Sequence, residues 1–444
     1  MADEEPILWD VVEEHLDESE FLVEAWLTAR ASASYTLQEL GDGPEARLLA
    51  HIDGLVVNGP AALEEMIWPI LAEDAELPRM AAACLALLEA GQDRALDALA
   101  AEEPPETLGP GMSVALSLCA HPKVGDWVRG RLPKAEGLLL TVLLQACADH
   151  GLDPGAAVER GLVHEDVAVQ EAALRASTYG DRRRLLGAVE SRLQHPEPAV
   201  QAAALETALV WNSRSAWQLV MHLALQSPEP SRSVLTWVAC FGTEQHAAAL
   251  VKRLEDEALR HDTIWALGFS GRVPAVDACI KLLDHEDETT RRLAGEAVAA
   301  ILGLDPDDET LWEEDSTEEP DEEVEGDDPA EDEDDLEAEL VEQPDDEPPL
   351  PNAQAIREVW AKTRSGFAPS ERRLLGKPVG REGPGWTLGQ LSCRRVDFIA
   401  REVVARSQGV GRWLGRNRSH RSIQAAGALE QLGRQTGVMQ GGKT

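Results

Sequence analysis

A chain of 444 residues with 43% hydrophobic but only 4% aromatic residues must build its core on Ala, Leu and Val, the composition of closely packed helices rather than of sheets. Its six cysteines, Cys84, Cys119, Cys147, Cys240, Cys279 and Cys393, form no CxxC pair, which argues against a zinc site or a disulfide framework and predicts reduced, mostly buried thiols. The formal charge of −41 is unevenly spread. Residues 1–304 hold 49 acids against 23 bases, a net −26; residues 305–351 hold 26 acids and no base; residues 352–444 hold 17 bases against 6 acids, a net +11.

Residues 1–75 read as an N-terminal helical cap, with Leu8, Val11, Val12, Leu16, Leu22, Val23, Trp26 and Leu27 at helix-compatible spacing. The opening "MADEEPILWD" carries acids where a signal peptide carries Lys or Arg, and no uncharged apolar run approaches the roughly 18 residues of a membrane span. A cytoplasmic protein with no membrane span is therefore expected.

Residues 76–304 repeat. "HEDVAVQEAALRAS" (164–177) returns 31 positions later as "HPEPAVQAAALETA" (195–208). In the first copy Val169, Ala172, Ala173 and Ala176 fall at i, i+3, i+4 and i+7, and Val200, Ala203, Ala204 and Thr207 do so in the second, so each copy opens with a helix bearing one apolar stripe. A second stripe follows, Leu186, Val189 and Leu193 in one copy and Trp217, Val220 and Ala224 in the other. Asp181 and Asn212 precede these second helices at the same repeat position and suit an N-cap. Weaker echoes start at Leu77, Ser227, Leu259 and His285, giving about seven or eight helical hairpins. So small a hairpin cannot bury its apolar face alone, and neighbours must stack. The predicted fold is all-α, an α-solenoid of stacked hairpins.

"HEDETTRRLAGEAVAAILG" (285–303) resembles the short bacterial form of the HEAT repeat: an acidic turn, Arg in the first helix, an Ala-rich face and a Leu-Gly end. "RLLAHIDGLVVNGPAA" (47–62) and "RRLLGKPV" (372–379), followed by an Arg-rich helix, resemble a proteobacterial HEAT-containing family often encoded beside type VI secretion components. The resemblance implies a protein-binding role in that setting. It brings no catalytic chemistry with it.

The acidic stretch 305–351 combines like charge, prolines and low hydrophobicity, so it is expected to be a disordered linker. From Asn352 to 444 the chain reads as a basic helical region, with Ile399, Ala400, Val403 and Val404 on one helix face. "GRWLGRNRSHR" gathers Arg412, Arg416, Arg418 and Arg421 around Trp413, the mixture that phosphate contact and base stacking use. These five are the candidate binding residues. The −26 of residues 1–304 repels phosphate and makes nucleic acid the weaker alternative to a protein partner.

No catalytic residue, cofactor or metal ligand set emerges. GxxxxGK[ST], HExxH and GxSxG are absent, "GVGRWLG" (409–415) misses the dinucleotide spacing, and the acidic run from Asp305 lacks the Gly and Glu of a calcium loop, having Thr310 and Ser316 there. His164, His195 and His285 recur at one repeat position, but equivalent side chains of packed helical units lie roughly 10 Å apart, too far to share a metal, so they read as turn residues. Trp211, Trp217, Trp237 and Trp265 read as core packing, and Arg291 and Arg292 as partners of Glu288 and Glu296. The expected function is a non-enzymatic, protein-binding scaffold or adaptor. A HEAT-type lyase or glycosylase is the enzyme alternative that the resemblance leaves open.

Overall fold

The computed structural model describes residues 7–313, 348–368, 371–379, 388–406, 413 and 417–436, and it is predominantly helical. The chain divides into two compact units, the first made of Met1–Thr28, Leu37–Ala216 and Gln408–Ala426, the second of Ala29–Thr36, Trp217–Ser407 and Gly427–Thr444. These units do not follow the four segments expected from composition. Both draw on residues before 76 and after 351.

The first unit opens with α1 (Trp9–Ala31), whose last three residues fall in the second, followed by α2 (Leu37–Asp42), α3 (Pro44–Val57) and α4 (Gly59–Ala62). It continues through α5 (Leu77–Glu89), α6 (Leu108–Leu118), α7 (Val124–Arg131), α8 (Gly137–His150), α9 (Ala157–Leu162), α10 (Val167–Ser177), α11 (Arg182–Glu190) and α12 (Pro198–Val210). The division falls within α13 (Arg214–Gln226). The long first helices pack in series, α5 on α6, α6 on α8, α8 on α10 and α10 on α12. Their stripes are the predicted ones: Val169, Ala172, Ala173, Ala176, Val200, Ala203, Ala204 and Thr207 are all buried. The Thr207 hydroxyl donates to the Leu174 carbonyl (2.8 Å), so the polar member of the stripe is satisfied by the preceding first helix.

The second helices keep the 31-residue offset, with the last two positions of each predicted stripe buried and only the first falling one residue earlier. Leu185, Val189 and Leu193 are buried in one copy and Ala216, Val220 and Ala224 in the other, while Leu186 and Trp217 are half-buried. The caps diverge as well. Asp181 accepts from the Arg183 amide (2.9 Å) as expected, whereas Asn212 takes a left-handed backbone (φ 56°) after α12 and leaves the cap to Ser213, whose Oγ accepts from the Ala216 amide (3.2 Å). Asn tolerates that conformation better than most residues, which is why it can end one helix instead of starting the next.

The recurring histidines do serve turns. The Nδ1 atoms of His164, His195 and His285 accept from the amides two residues on, at 3.0, 3.2 and 3.1 Å. In two of these turns the Asp that follows, Asp166 or Asp287, then caps the helix through its carboxylate. The repeated "HED" is a helix-entry device.

The second unit contains α14 (Arg232–Phe241), α15 (Glu244–Val251), α16 (Arg260–Ser270), α17 (Val273–Leu282) and α18 (Glu288–Leu302), with α14 on α16 and α16 on α18. After it come α19 (Ala353–Thr363), α20 (Cys393–Arg406) and α21 (Ser419–Thr436), the last of which crosses the boundary between the units. Between α19 and α20, where only helix was expected, Arg373–Leu374 (β1) and Lys377–Pro378 (β2) pair antiparallel around a turn with Leu375 and Gly376 at positive φ. Trp237 and Trp265 are buried here, as Trp211 is in the first unit.

The acidic segment is anchored at both ends. The Glu313 amide donates to the Leu350 carbonyl (2.8 Å), the Asn352 amide to the Leu311 carbonyl (2.8 Å), and Arg292 Nη1 to the Pro348 carbonyl (2.9 Å). Its two ends therefore meet at one place on the second unit, so the segment is an insert closed at its base. Residues 314–347, the bulk of the predicted disordered tract, lie outside the described residues. Arg292 still pairs with Glu288 (2.8 Å), but Glu296 turns to α20 instead.

Val169 and Val200 are fully buried. Val169→Asp or Val200→Asp is expected to cost on the order of 3 kcal/mol or more in urea unfolding, because an unpaired carboxylate replaces core contacts. Unchanged midpoints in both variants would contradict this packing.

Candidate functional site

Arg418 and Trp413 are held inside the first unit rather than presented on an open surface. The segment that carries them crosses the C-terminal ends of several first helices, where the last carbonyls of a helix have no intrahelical donor. At the end of α6, Arg418 Nε donates to the Leu118 carbonyl. At the end of α8, Asn417 Nδ2 donates to the Asp149 carbonyl (2.8 Å). Just past α10, the Tyr179 hydroxyl donates to the carbonyl of Trp413, a residue only 5% exposed. Cationic and amide donors are favoured at such ends by the helix dipole as well as by the bonds themselves.

Two carboxylates complete the seat. Glu89, the last residue of α5, accepts from Arg418 Nη2 and from the Ala120 amide (2.7 Å). Glu45, near the start of α3 and 3% exposed, accepts the Ser419 amide (2.9 and 3.0 Å to its two oxygens), the Ser419 hydroxyl (2.8 Å) and the Trp26 indole N–H (3.1 Å). A carboxylate this deep is tolerated because four donor contacts replace its water. Arg421 Nη1 lies 3.5 Å from His150 Nδ1, while His150 Nε2 is 2.7 Å from the Leu116 carbonyl. That pairing makes Nε2 the protonated nitrogen and leaves Nδ1 as the acceptor. Arg412 and Arg416 lie outside the described residues.

The second unit uses the same chemistry in its own return segment. Arg372 donates to the carbonyls of Phe269 (2.8 Å) and Ser270 (3.2 Å), and the Arg373 amide to that of Gly271 (2.8 Å), all at the end of α16. The Leu375 and Gly376 amides donate to Ala300 and Ile301 (2.9 Å each) at the end of α18, and Arg406 Nη2 to Cys240 (3.2 Å) at the end of α14. Gly303, with φ 69°, permits the approach: a methyl group there would lie 2.6 Å from the Leu375 carbonyl carbon.

Acids on the same elements balance these arginines. Arg372 makes a bidentate pair with Glu402, which also accepts from Arg406 (2.7 Å). Burial raises the Glu402 pKa, but the guanidiniums of Arg372 and Arg406 outweigh it and hold the carboxyl below the usual range. Glu296 is shared by Arg394 and Arg395, whose Nε atoms each lie 2.9 Å away, and the Arg395 guanidinium lies 4.4 Å from the Trp265 ring centroid. All six cysteines are buried and none forms a disulfide, and burial pushes the Cys84, Cys119, Cys147 and Cys279 thiols up to about 12, so these four are not ready nucleophiles. Among the described residues no three His, Cys, Asp or Glu side chains are grouped to hold a metal, and no helix is long and apolar enough to cross a membrane.

The seat is only half legible in sequence. Trp413, Arg418 and Arg421 were marked by charge and aromaticity, whereas Glu45, Glu89 and Tyr179 gave no signal. Each is one acid or aromatic among many, and only the fold brings them to residues more than two hundred positions away.

No known protein family matches the chain, and no curated protein does. Among solved structures it is similar to an engineered protein, at 14% identity and a TM-score of 0.29, over 96% of this chain and 100% of that one. It is also similar to human deoxyhypusine hydroxylase in complex with glycerol, at 15% identity and a TM-score of 0.22, over 63% of this chain and 96% of that one. Likeness at this level supports no argument about function.

Two outcomes are expected from these contacts. Glu402→Gln leaves Arg372 and Arg406 without their buried counter-charge and should lower stability by about 3 kcal/mol at pH 7, with the loss shrinking in acid as the native carboxyl protonates. Guanidinium unfolding at pH 7 and pH 3 checks it; equal losses at both would refute the charge assignment. His150 is held neutral, burial being the main cause and Arg421 a further one, so its folded pKa is depressed. The unfolded chain then takes up that proton first as pH falls below about 6.5, and stability declines through that window. His150→Gln should show a shallower decline between pH 7.5 and 5.5 than the native chain, and an identical slope would count against it.

Proposed function

We propose that the chain is an α-solenoid of HEAT-like hairpins that works as a protein-binding scaffold or adaptor. The observation that carries this reading is the serial packing of the first helices, α5 through α12 in one unit and α14 through α18 in the other, each on its immediate predecessor. Units that contact their neighbours in order yield long continuous surfaces, the usual basis of partner binding by repeat proteins. Their recurring turns support it, since the same histidine and carboxylate entry device serves helices far apart in sequence. The resemblance of residues 47–62 and 372–379 to a HEAT-containing family encoded near type VI secretion components favours an accessory role in such a system. A nucleic-acid role draws less support, because Arg418 and Trp413 already have partners within the fold.

The full-length chain, immobilised and exposed to cytosol of its source cells at about 150 mM salt, should retain a protein in near-stoichiometric amount, and Val200→Asp should lose it with the array. Retention of nucleic acid alone, or equal retention by the Val200→Asp variant, would overturn the reading.

A further inference from the structure

We propose that the seat of Asn417, Arg418 and Ser419 on the first unit is a peptide-reading site, held in cis by the chain's own C-terminal segment, and that it takes in trans an arginine-containing peptide of a partner protein that enters a helix at the following residue. The proposal rests on the scaffold reading and deepens it by naming the surface and the kind of ligand.

The argument starts from what the seat contacts. Glu45 reads a main-chain N–H together with a hydroxyl, and the Tyr179 hydroxyl reads a main-chain carbonyl. Ser419 opens α21, so Glu45 takes an N–H that has no intrahelical acceptor, at the helix end where the dipole favours a carboxylate. Specificity comes at one position, where Glu89 and the Leu118 carbonyl both take a guanidinium. Arg fits because its fixed fork reaches a carboxylate and a carbonyl together, which a lysine ammonium cannot do in the same geometry. Asn417, 1% exposed, adds an amide donor toward Asp149.

The empty seat also dictates what may replace the segment. Without Ser419 the buried Glu45 carboxylate keeps, of the donors named here, only the Trp26 indole, and Glu89 keeps the Ala120 amide but loses its cation. Emptying it is unfavourable, since buried acceptors lose both protein and water. A competing ligand must therefore bring the same donors: a main-chain N–H beside a hydroxyl, preceded by a guanidinium and a side-chain amide. That is an Asn-Arg-Ser-like peptide. The acidic balance of residues 1–304, −26, favours the approach of such a basic segment. Tethering keeps the native segment at an effective concentration in the millimolar range, so a partner competes only if its own affinity is tight or if the tethered segment is weakened.

The test uses the full-length chain and a fluorescent peptide spanning residues 411–423 of its sequence. In the triple variant Asn417→Ala, Arg418→Glu, Ser419→Gly the tethered segment lacks its side-chain donors. The peptide should bind this variant at least about tenfold more tightly than the native chain by anisotropy, and a peptide with Arg418→Ala should lose that gain. Adding Glu89→Gln to the variant should abolish it as well. A folded triple variant that binds the peptide no better than the native chain overturns the proposal. If the triple variant does not fold, hydrogen exchange decides: millimolar peptide should speed exchange of the Ser419 amide in the native chain, and no change overturns the proposal. Failure of the peptide while the native chain still retains a cytosolic protein would remove this seat and leave the scaffold reading standing.

Discussion

The structure depends on how the C-terminal carbonyls of its first helices are satisfied. Every α-helix ends with carbonyls that lack an intrahelical donor and with the negative end of its dipole, and an array of helices collects such ends in one region. Here donors from the last part of the chain meet them. In the second unit, Arg372 and the backbone of residues 373–376 serve α16 and α18, and Arg406 serves α14; in the first, Asn417 and Arg418 serve α8 and α6. A charged donor to a buried carbonyl contributes about 1.5–3 kcal/mol, so several such bonds matter to a fold whose net stability is small.

The opposite ends of the hairpins follow a parallel rule with local arginines. Arg160 donates to the carbonyls of Leu132 (2.9 Å) and Pro133 (3.2 Å), and Arg192 to that of Leu162 (2.8 Å), each closing the end of the preceding hairpin. Arginine suits this place because its stem packs along an apolar neighbour while its planar head reaches two acceptors. Glu402 and Glu296 then compensate the arginines drawn into the second unit's interior. Among the described residues after 352, Arg372, Arg394, Arg395, Arg406 and Arg418 are thus built into the fold.

That explains which features could be seen in the sequence. The stripes of Val169 and Val200 were legible because burial at 3.6-residue spacing is a local property, and the turn histidines because they recur beside them. Only the first position of the second stripe came out one residue off, because Leu185 and Leu186 are both apolar and periodicity alone does not choose between neighbours. Arg372, Arg406 and Arg418 read as part of a basic region, since among their acceptors are backbone carbonyls up to three hundred residues away and carbonyls have no sequence signature. Likewise the acidic segment hid its own closure: Trp312 and Pro351 pair at its base, and neither charge nor composition reports that.

The central claim is that the return segment is a bonded part of the helical array. Native-state hydrogen exchange of the Leu375 and Gly376 amides, which donate to Ala300 and Ile301 in the last turn of α18, tests it most directly.

 The account predicts that Leu375 and Gly376 exchange as slowly as the amides inside α18 itself, with protection falling in all of them together as denaturant is added. Exchange of Leu375 and Gly376 at the rate of an open loop, while the Ile301 region of α18 stays protected, would contradict it.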